Sequence, residues 1–173
     1  MEIKAAVAYL SLGTNLGNRK HNLSVAIKTL AKEAGSITRV SSVYESKAWG
    51  YSSTNNYYNC CIAITTPLSP HKLLEITQTI EQSMGRIKTA EYADRVIDID
   101  ILFYDNLIIN ETALKIPHPH LEKRGFVLLP LQEIAPDLCH YKHFLTIAQL
   151  CSNQQQLGET YRVDGFKTED IIN

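Results

Sequence analysis

The chain has 173 residues, 45% hydrophobic and 20% charged, a size and balance that suit one soluble globular domain over residues 1–173. A formal net charge of −1 gives no electrostatic case for nucleic acid or an anionic membrane surface. The N-terminus Met-Glu-Ile-Lys-Ala-Ala-Val lacks the apolar core of a secretory leader, and no run approaches transmembrane length, so the expectation is a cytoplasmic protein.

Residues 5–12 are predicted as a first strand, ending in the turn Gly13-Thr14-Asn15-Leu16-Gly17-Asn18. A helix follows to about Ala34, with Leu23, Ile27 and Leu30 at helical spacing and Gly35 as its stop. The glycine turn matches neither G-x-x-x-x-G-K-[ST] nor G-x-G-x-x-G, so it reads as a tight turn with Asn18 capping the helix. Residues 40–45 are a second strand, 46–56 a polar aromatic loop, and 57–66 a third strand. Ser69-Pro70 opens a second helix with Leu73, Thr77, Ile80 and Met84 on one stripe and Gly85 at its end.

An aperiodic polar stretch, residues 86–95, leads into Arg-Val-Ile-Asp-Ile-Asp-Ile-Leu-Phe-Tyr, a β-branched run that reads as a strand. Asp105-Asn106 turns the chain into a short strand over 107–110, which makes the sheet at least partly antiparallel. Residues 116–125 are extended and then turned, 126–134 form an apolar element, and 144–151 a last helix. The polar tail from Gln154 carries no motif and is expected to be loosely held. Cys60, Cys61, Cys139 and Cys151 form no C-x-x-C pair and read as small core residues in a reducing compartment. The class is α+β, with helices packed on a sheet.

Asp98 and Asp100 share one strand face while Ile97, Ile99 and Ile101 share the other. Two carboxylates about 7 Å apart within apolar sequence repel and lose hydration, and a divalent cation between them removes both costs. Oxygen ligands in this arrangement suit Mg²⁺, the usual companion of a nucleoside triphosphate; a solvated strand start or an edge strand blunted by charge is the other reading of the pair. Arg86 and Arg95 bracket the preceding loop, with Lys88 between them, and cations beside a metal-binding pair are what phosphoryl transfer requires. Gln78 and Glu81 lie on one face at the end of the second helix, either a solvated helix end or a polar wall near Arg86. His118 and His120 share a face of the extended Pro-His-Pro-His segment. Tyr57 and Phe126 can stack on a heterocycle, and Asn59 can read an amide-like edge; core packing also accounts for both rings.

Five segments in order, Leu-Gly-Thr-Asn-Leu-Gly, Tyr57–Asn59, Gln-x-x-Glu-x-x-x-Gly-Arg, Arg-x-x-Asp-Ile-Asp-Ile-Leu and Pro-His-x-x-x-x-x-Arg-Gly-Phe, resemble the 6-hydroxymethyl-7,8-dihydropterin pyrophosphokinase family. The resemblance runs from about residue 6 to residue 138. It implies a ferredoxin-like α+β fold with mobile active-site loops, and transfer of the terminal pyrophosphoryl unit of ATP to the pterin hydroxymethyl oxygen, with release of AMP, in folate biosynthesis. Asp98 and Asp100 would ligate two Mg²⁺ ions, and Arg86 and Arg95 would act on the transferring group. Gln78, Glu81, Lys88, Ile101, His118 and Arg124 would line the ATP side. Ser46, Lys47, Trp49, Tyr57, Asn59 and Phe126 would form the pterin pocket, the Ser46–Trp49 segment through its backbone. ATP and the pterin would be the only partners of a monomer.

The chain departs from that pattern in the catalytic loop. Asp94 stands where a small residue or proline is usual, Tyr92 is the nearest aromatic to an expected tryptophan, and Lys88 replaces a frequent arginine. Lys47, Ala48 and Trp49 replace prolines and an aliphatic residue. One rival reading, another Mg²⁺-dependent phosphoryl enzyme such as a hydrolase, has no need of a stacked aromatic pair. A non-catalytic nucleotide-binding module has no use for metal-binding carboxylates beside arginines.

Overall fold

The computed structural model describes residues 5–87, 92–153 and 157–165. In chain order it contains β1 (Ala6–Thr14), α1 (Arg19–Glu33), β2 (Ser36–Val40), β3 (Tyr44–Ser46), β4 (Tyr57–Thr66), α2 (Pro70–Ser83) and β5 (Asp98–Tyr104). There follow β6 (Ile109–Asn110), β7 (Lys115–Ile116), a 3-10 turn at Leu121–Lys123 and α3 (Gly125–Ile134). β8 (Cys139–His140), β9 (Leu145–Thr146), α4 (Ile147–Asn153) and β10 (Thr160–Arg162) complete the described elements. The main sheet runs β10-β3-β4-β1-β5, with β2 also pairing to β4, and its pairings are antiparallel. This is the ferredoxin-like α+β arrangement that the family resemblance implies.

Strand alternation divides the core into two layers. Ala8, Leu10, Leu12, Cys60, Ile62, Ile64, Ile99 and Ile101 face the buried stripes of α1 and α2. Cys61, Ala63, Leu102 and Phe103 face α3 and α4 on the other side. That second face continues along the same strands to Ser11, Gly13, Tyr57, Asn59, Asp98 and Asp100, which line a cleft instead of a core. Both long helices start as their sequences dictate: Asn18 Oδ1 accepts the His21 amide at 3.1 Å, and Ser69 Oγ accepts the Lys72 amide at 3.3 Å ahead of Pro70.

Four boundaries differ from the sequence expectation. The predicted strand over 40–45 falls on the junction of two, since β2 lies earlier and ends at Val40 while β3 begins at Tyr44; between them Ser41 donates its amide to Cys61 O and accepts the Cys61 amide on Oγ, both at 2.9 Å. The turn at Asp105 returns the chain to β1, where Asp105 Oδ1 accepts the Val7 amide at 2.8 Å, and β6 pairs with β7 rather than with β5. The antiparallel character therefore comes from β1, β4 and β5. The last helix begins later than predicted, since Thr146 and Gln149 cap it reciprocally at 2.9 and 3.2 Å. Part of the motif-free tail forms β10 against β3. A Cβ on Gly125 would lie 1.7 Å from Leu157 O, so glycine is what lets this segment rest on the start of α3. Cys60, Cys61 and Cys151 are buried as expected, whereas Cys139 is exposed. Among the described residues, no helix is long and apolar enough to cross a membrane.

Candidate active site

Register builds the floor of the cleft. Gly13 lies opposite both Asn59 on β4 and Asp98 on β5, and Ser11 lies opposite Asp100. A Cβ at Gly13 would stand 3.1 Å from Asn59 Oδ1 and 3.5 Å from the Tyr57 ring, so the glycine keeps this floor open. Asn59 is buried and donates to Ser46 Oγ at 2.9 Å, which leaves its carbonyl oxygen facing the cleft floor. The Tyr57 and Tyr51 hydroxyls are bonded at 2.7 Å. Trp49, Tyr51, Tyr92 and Phe126 add aromatic walls to a cleft that opens to solvent. Lys47 sits at the rim, but its ammonium turns outward to Glu159.

Beside these neutral groups lies a tight set of charges. Arg86 bridges Glu81 and Asp98, reaching Asp98 Oδ1 at 2.7 Å, while Arg95 donates to Asp98 Oδ2 at 2.7 Å. Glu81 is buried and its Oε1 also accepts the Ile99 amide at 2.7 Å. Burial raises the Glu81 carboxyl above its usual range. Asp100 is pushed up to about 7, first by burial and then by the negative charge of Asp98. Arg124 reaches Asp100 at 3.6 Å and lies 4.5 Å over the Trp49 ring, joining the aromatic and charged regions. Burial, with Arg124 adding, pushes His118 down to about 4, so the ring 3.8 Å from Asp100 is neutral near pH 7 and makes no ion pair there.

The donors of Asp98 and Asp100 are all oxygen, and burial with the charge of Asp98 raises Asp100. Among the described residues Arg124 also keeps a buried Nε with no hydrogen-bond partner. These residues fit Mg²⁺ carrying an anionic ligand. Glu122, His140 and His143 also place ligating atoms within 4.8 Å of one another. There, however, His140 Nδ1 already meets the Lys142 amide at 3.3 Å, so the cluster is a weaker candidate than the aspartate pair.

The model of the family described as 7,8-dihydro-6-hydroxymethylpterin-pyrophosphokinase (HPPK) matches residues 9–136. The chain belongs to the HPPK family. The 2-amino-4-hydroxy-6-hydroxymethyldihydropteridine pyrophosphokinase of Aquifex aeolicus is 42% identical over 135 residues, which cover 78% of this chain and 84% of that protein. The Porphyromonas gingivalis protein of the same name is 39% identical over 76% of this chain and 92% of its own length. Folic acid synthesis protein FOL1 of Dictyostelium discoideum is 39% identical over 91% of this chain, which spans only 24% of that longer protein. The Plasmodium falciparum HPPK-DHPS crystal structure with pteroate superposes with a TM-score of 0.71 at 18% identity, covering 86% of this chain and 44% of that one, and so shares the fold.

Most of the residues that the HPPK resemblance singled out converge. Ser46, Trp49, Tyr57, Asn59 and Phe126 line the first cleft together with Arg95, Asp98, Asp100 and Arg124. Gln78, Glu81, Arg86 and His118 line a second opening that shares Arg95, Asp98, Asp100 and Arg124 with the first. Ile101 is not on that wall; it lies in an adjoining hollow with Leu74, Leu114 and His118. Lys88 lies outside the described residues. The sequence reading passed over Ser11, Tyr51 and the side chain of Asn15. A serine within an otherwise apolar strand was the available signal for the first; nothing local marked the other two.

Proposed function

We propose that the chain transfers pyrophosphate from ATP to the hydroxymethyl group of 6-hydroxymethyl-7,8-dihydropterin, giving AMP and the pterin diphosphate for folate synthesis. One observation carries this reading. The carboxylates and arginines that suit a triphosphate share Arg95, Asp98, Asp100 and Arg124 with an aromatic cleft whose buried amide suits a flat polar heterocycle. Names of the relatives agree with it, and the reading takes residues 1–173 as one catalytic unit.

The pterin ring would lie between Tyr57 and Phe126, its polar edge on Asn59. The triphosphate would occupy the second opening beside Gln78 and His118, with the adenine toward Leu74 and Ile101. Bound by Asp98 and Asp100, Mg²⁺ would screen charge on the phosphates and orient them; the expected number is two. Arg86 and Arg95 now bond to Asp98, and they would exchange that carboxylate for phosphate oxygens. The hydroxymethyl oxygen would then bond to the β-phosphorus, its proton passing to water, as the bond to the α,β-bridging oxygen breaks and AMP departs. Glu81 would act by holding Arg86 at the mouth of this region. The free cysteines agree with a reducing, cytoplasmic setting.

Incubation with ATP, Mg²⁺ and 6-hydroxymethyl-7,8-dihydropterin should release AMP in step with pterin consumption. ADP, inorganic phosphate or pterin-independent turnover would overturn the reading.

A further inference from the structure

Asp94 gathers donors from two separate parts of the chain. Asn15, 3% exposed, donates from Nδ2 to Asp94 Oδ1 at 2.8 Å. The same Asn15 accepts the Arg95 amide on Oδ1 at 2.7 Å and donates its own amide to Arg95 O at 3.0 Å. From the 46–56 loop, Asn55 Nδ2 donates to Asp94 Oδ2 at 2.8 Å and the Tyr51 hydroxyl reaches Oδ1 at 3.1 Å. The carboxyl is held below its usual range by a hydrogen bond to Ser53, joined by those from Asn15, Asn55 and Tyr51. Tyr92 stacks on Tyr51, ring centres 6.3 Å apart and planes within 8°, and meets Trp49 edge-on at 6.5 Å. The loop's far end is fixed separately, by Arg19 on Asn56 O at 2.8 Å and on Glu45 at 3.0 Å.

We propose that Asp94 is a positioning residue that clasps the crest of the 46–56 loop to the Arg95 backbone, setting one wall of the pterin pocket. This rests on the proposed function and goes beyond it, since Asp94 belongs to neither set of residues assigned to the two substrates there. A carboxylate accepts from all of these partners at once and makes each bond charge-assisted. In Asp94→Asn the new amide must meet Asn15, which cannot flip because its Oδ1 takes the Arg95 amide, or make Asn55 turn its own amide round, and either way the charge-assisted bonds are lost.

The test compares Asp94→Asn and Asp94→Ala with the parent chain, using steady-state kinetics with ATP, Mg²⁺ and the pterin, and amide hydrogen exchange over residues 50–56 without ligands. The expected result is a rise in pterin KM of about tenfold in both variants, the order for losing charge-assisted bonds on a half-exposed loop. ATP KM should stay within about twofold, and exchange in 50–56 should quicken while β4 stays protected. General loss of structure would lower the active fraction without separating the two KM values. Unchanged pterin KM, or equal rises for both substrates, together with unaltered exchange, would overturn the clasp. Should Asp94→Ala fail to fold, the nearly isosteric Asp94→Asn carries the same comparison. If the parent chain releases no AMP the functional reading fails, and the exchange data still decide the clasp.

Discussion

Around Tyr57 and Asn59 the cleft is held by hydrogen bonds between neutral groups, whereas around Asp98 and Asp100 it is held by carboxylates and guanidinium groups packed against one another. The Asn59–Ser46 and Tyr51–Tyr57 bonds use the Asn59 amide nitrogen and the tyrosine hydroxyls, so a ligand donor can reach the Asn59 carbonyl oxygen without dismantling them. The Arg86 and Arg95 bonds to Asp98 must instead be exchanged for bonds to a ligand. One half is preorganised for its substrate, and the other is a set of charges neutralised internally until a metal and an anion part them.

The widest separation of the halves comes from Asp98→Ala. It removes a proposed metal ligand and the carboxylate on which two arginines converge, while Arg86 keeps Glu81 as a partner. Turnover should fall by about a thousandfold or more, with a much smaller change in melting temperature, because relief of the repulsion on Asp100 offsets part of the loss of the arginine bonds. AMP release and thermal unfolding on the same preparation check this; near-parental turnover would break the metal assignment. Tyr57→Ala addresses the other half. Loss of the ring and of its bond to Tyr51 should raise pterin KM by about 10- to 100-fold and leave ATP affinity alone. An effect confined to ATP would overturn the stacking role.

The contrast between the halves also explains what could be read from the chain. The Asp98/Asp100 face, the Ser69-Pro70 helix start and the Tyr57–Asn59 pair follow from periods of two and of 3.6, which a linear sequence displays. Ser36–Val40 alternates only weakly between exposed and half-buried, so this strand gave little apolar signal. Glu81 was equally at home on a solvated helix end until the Ile99 amide, from another element, claimed its carboxylate. Asp94 meets Asn15 and Asn55 across 79 and 39 residues, and no local spacing marks such contacts. Charge placement within a strand was legible; the polar cross-links between loops were not.

Protonation should divide the halves more gently. With Asp100 raised to about 7, Mg²⁺ must displace a proton below that pH, so affinity for the metal alone should fall by up to about tenfold per pH unit on acidification. The sign for stability is opposite. A raised folded pKa contributes stability that is fully present below the unfolded value near 4 and is lost as pH rises through about 7. His118, lowered to about 4, contributes above its unfolded value of about 6.5 and loses that contribution as pH falls through about 4. Thermal unfolding with and without Mg²⁺ at pH 5.5 and pH 8 should show metal stabilisation mainly at the higher pH. Equal stabilisation at both would break the assignment of Asp100.

Lys47→Ala is the smallest expected effect and the most exacting for the neutral half. Its ammonium pairs with Glu159 on the outer side of the loop, with both side chains more than half exposed. Such pairs are screened by water and salt and contribute little. If this segment serves the pterin through its backbone and through Ser46, trimming the lysine should change pterin KM by less than about twofold. The loop would keep Ser46 on Asn59 and Asn56 on Arg19. A rise comparable to that of Tyr57→Ala would instead mean that Lys47 leaves Glu159 and turns inward when the substrate binds. The pocket would then need a charge of its own, and preorganisation by neutral groups would no longer distinguish it from the half beside Asp98.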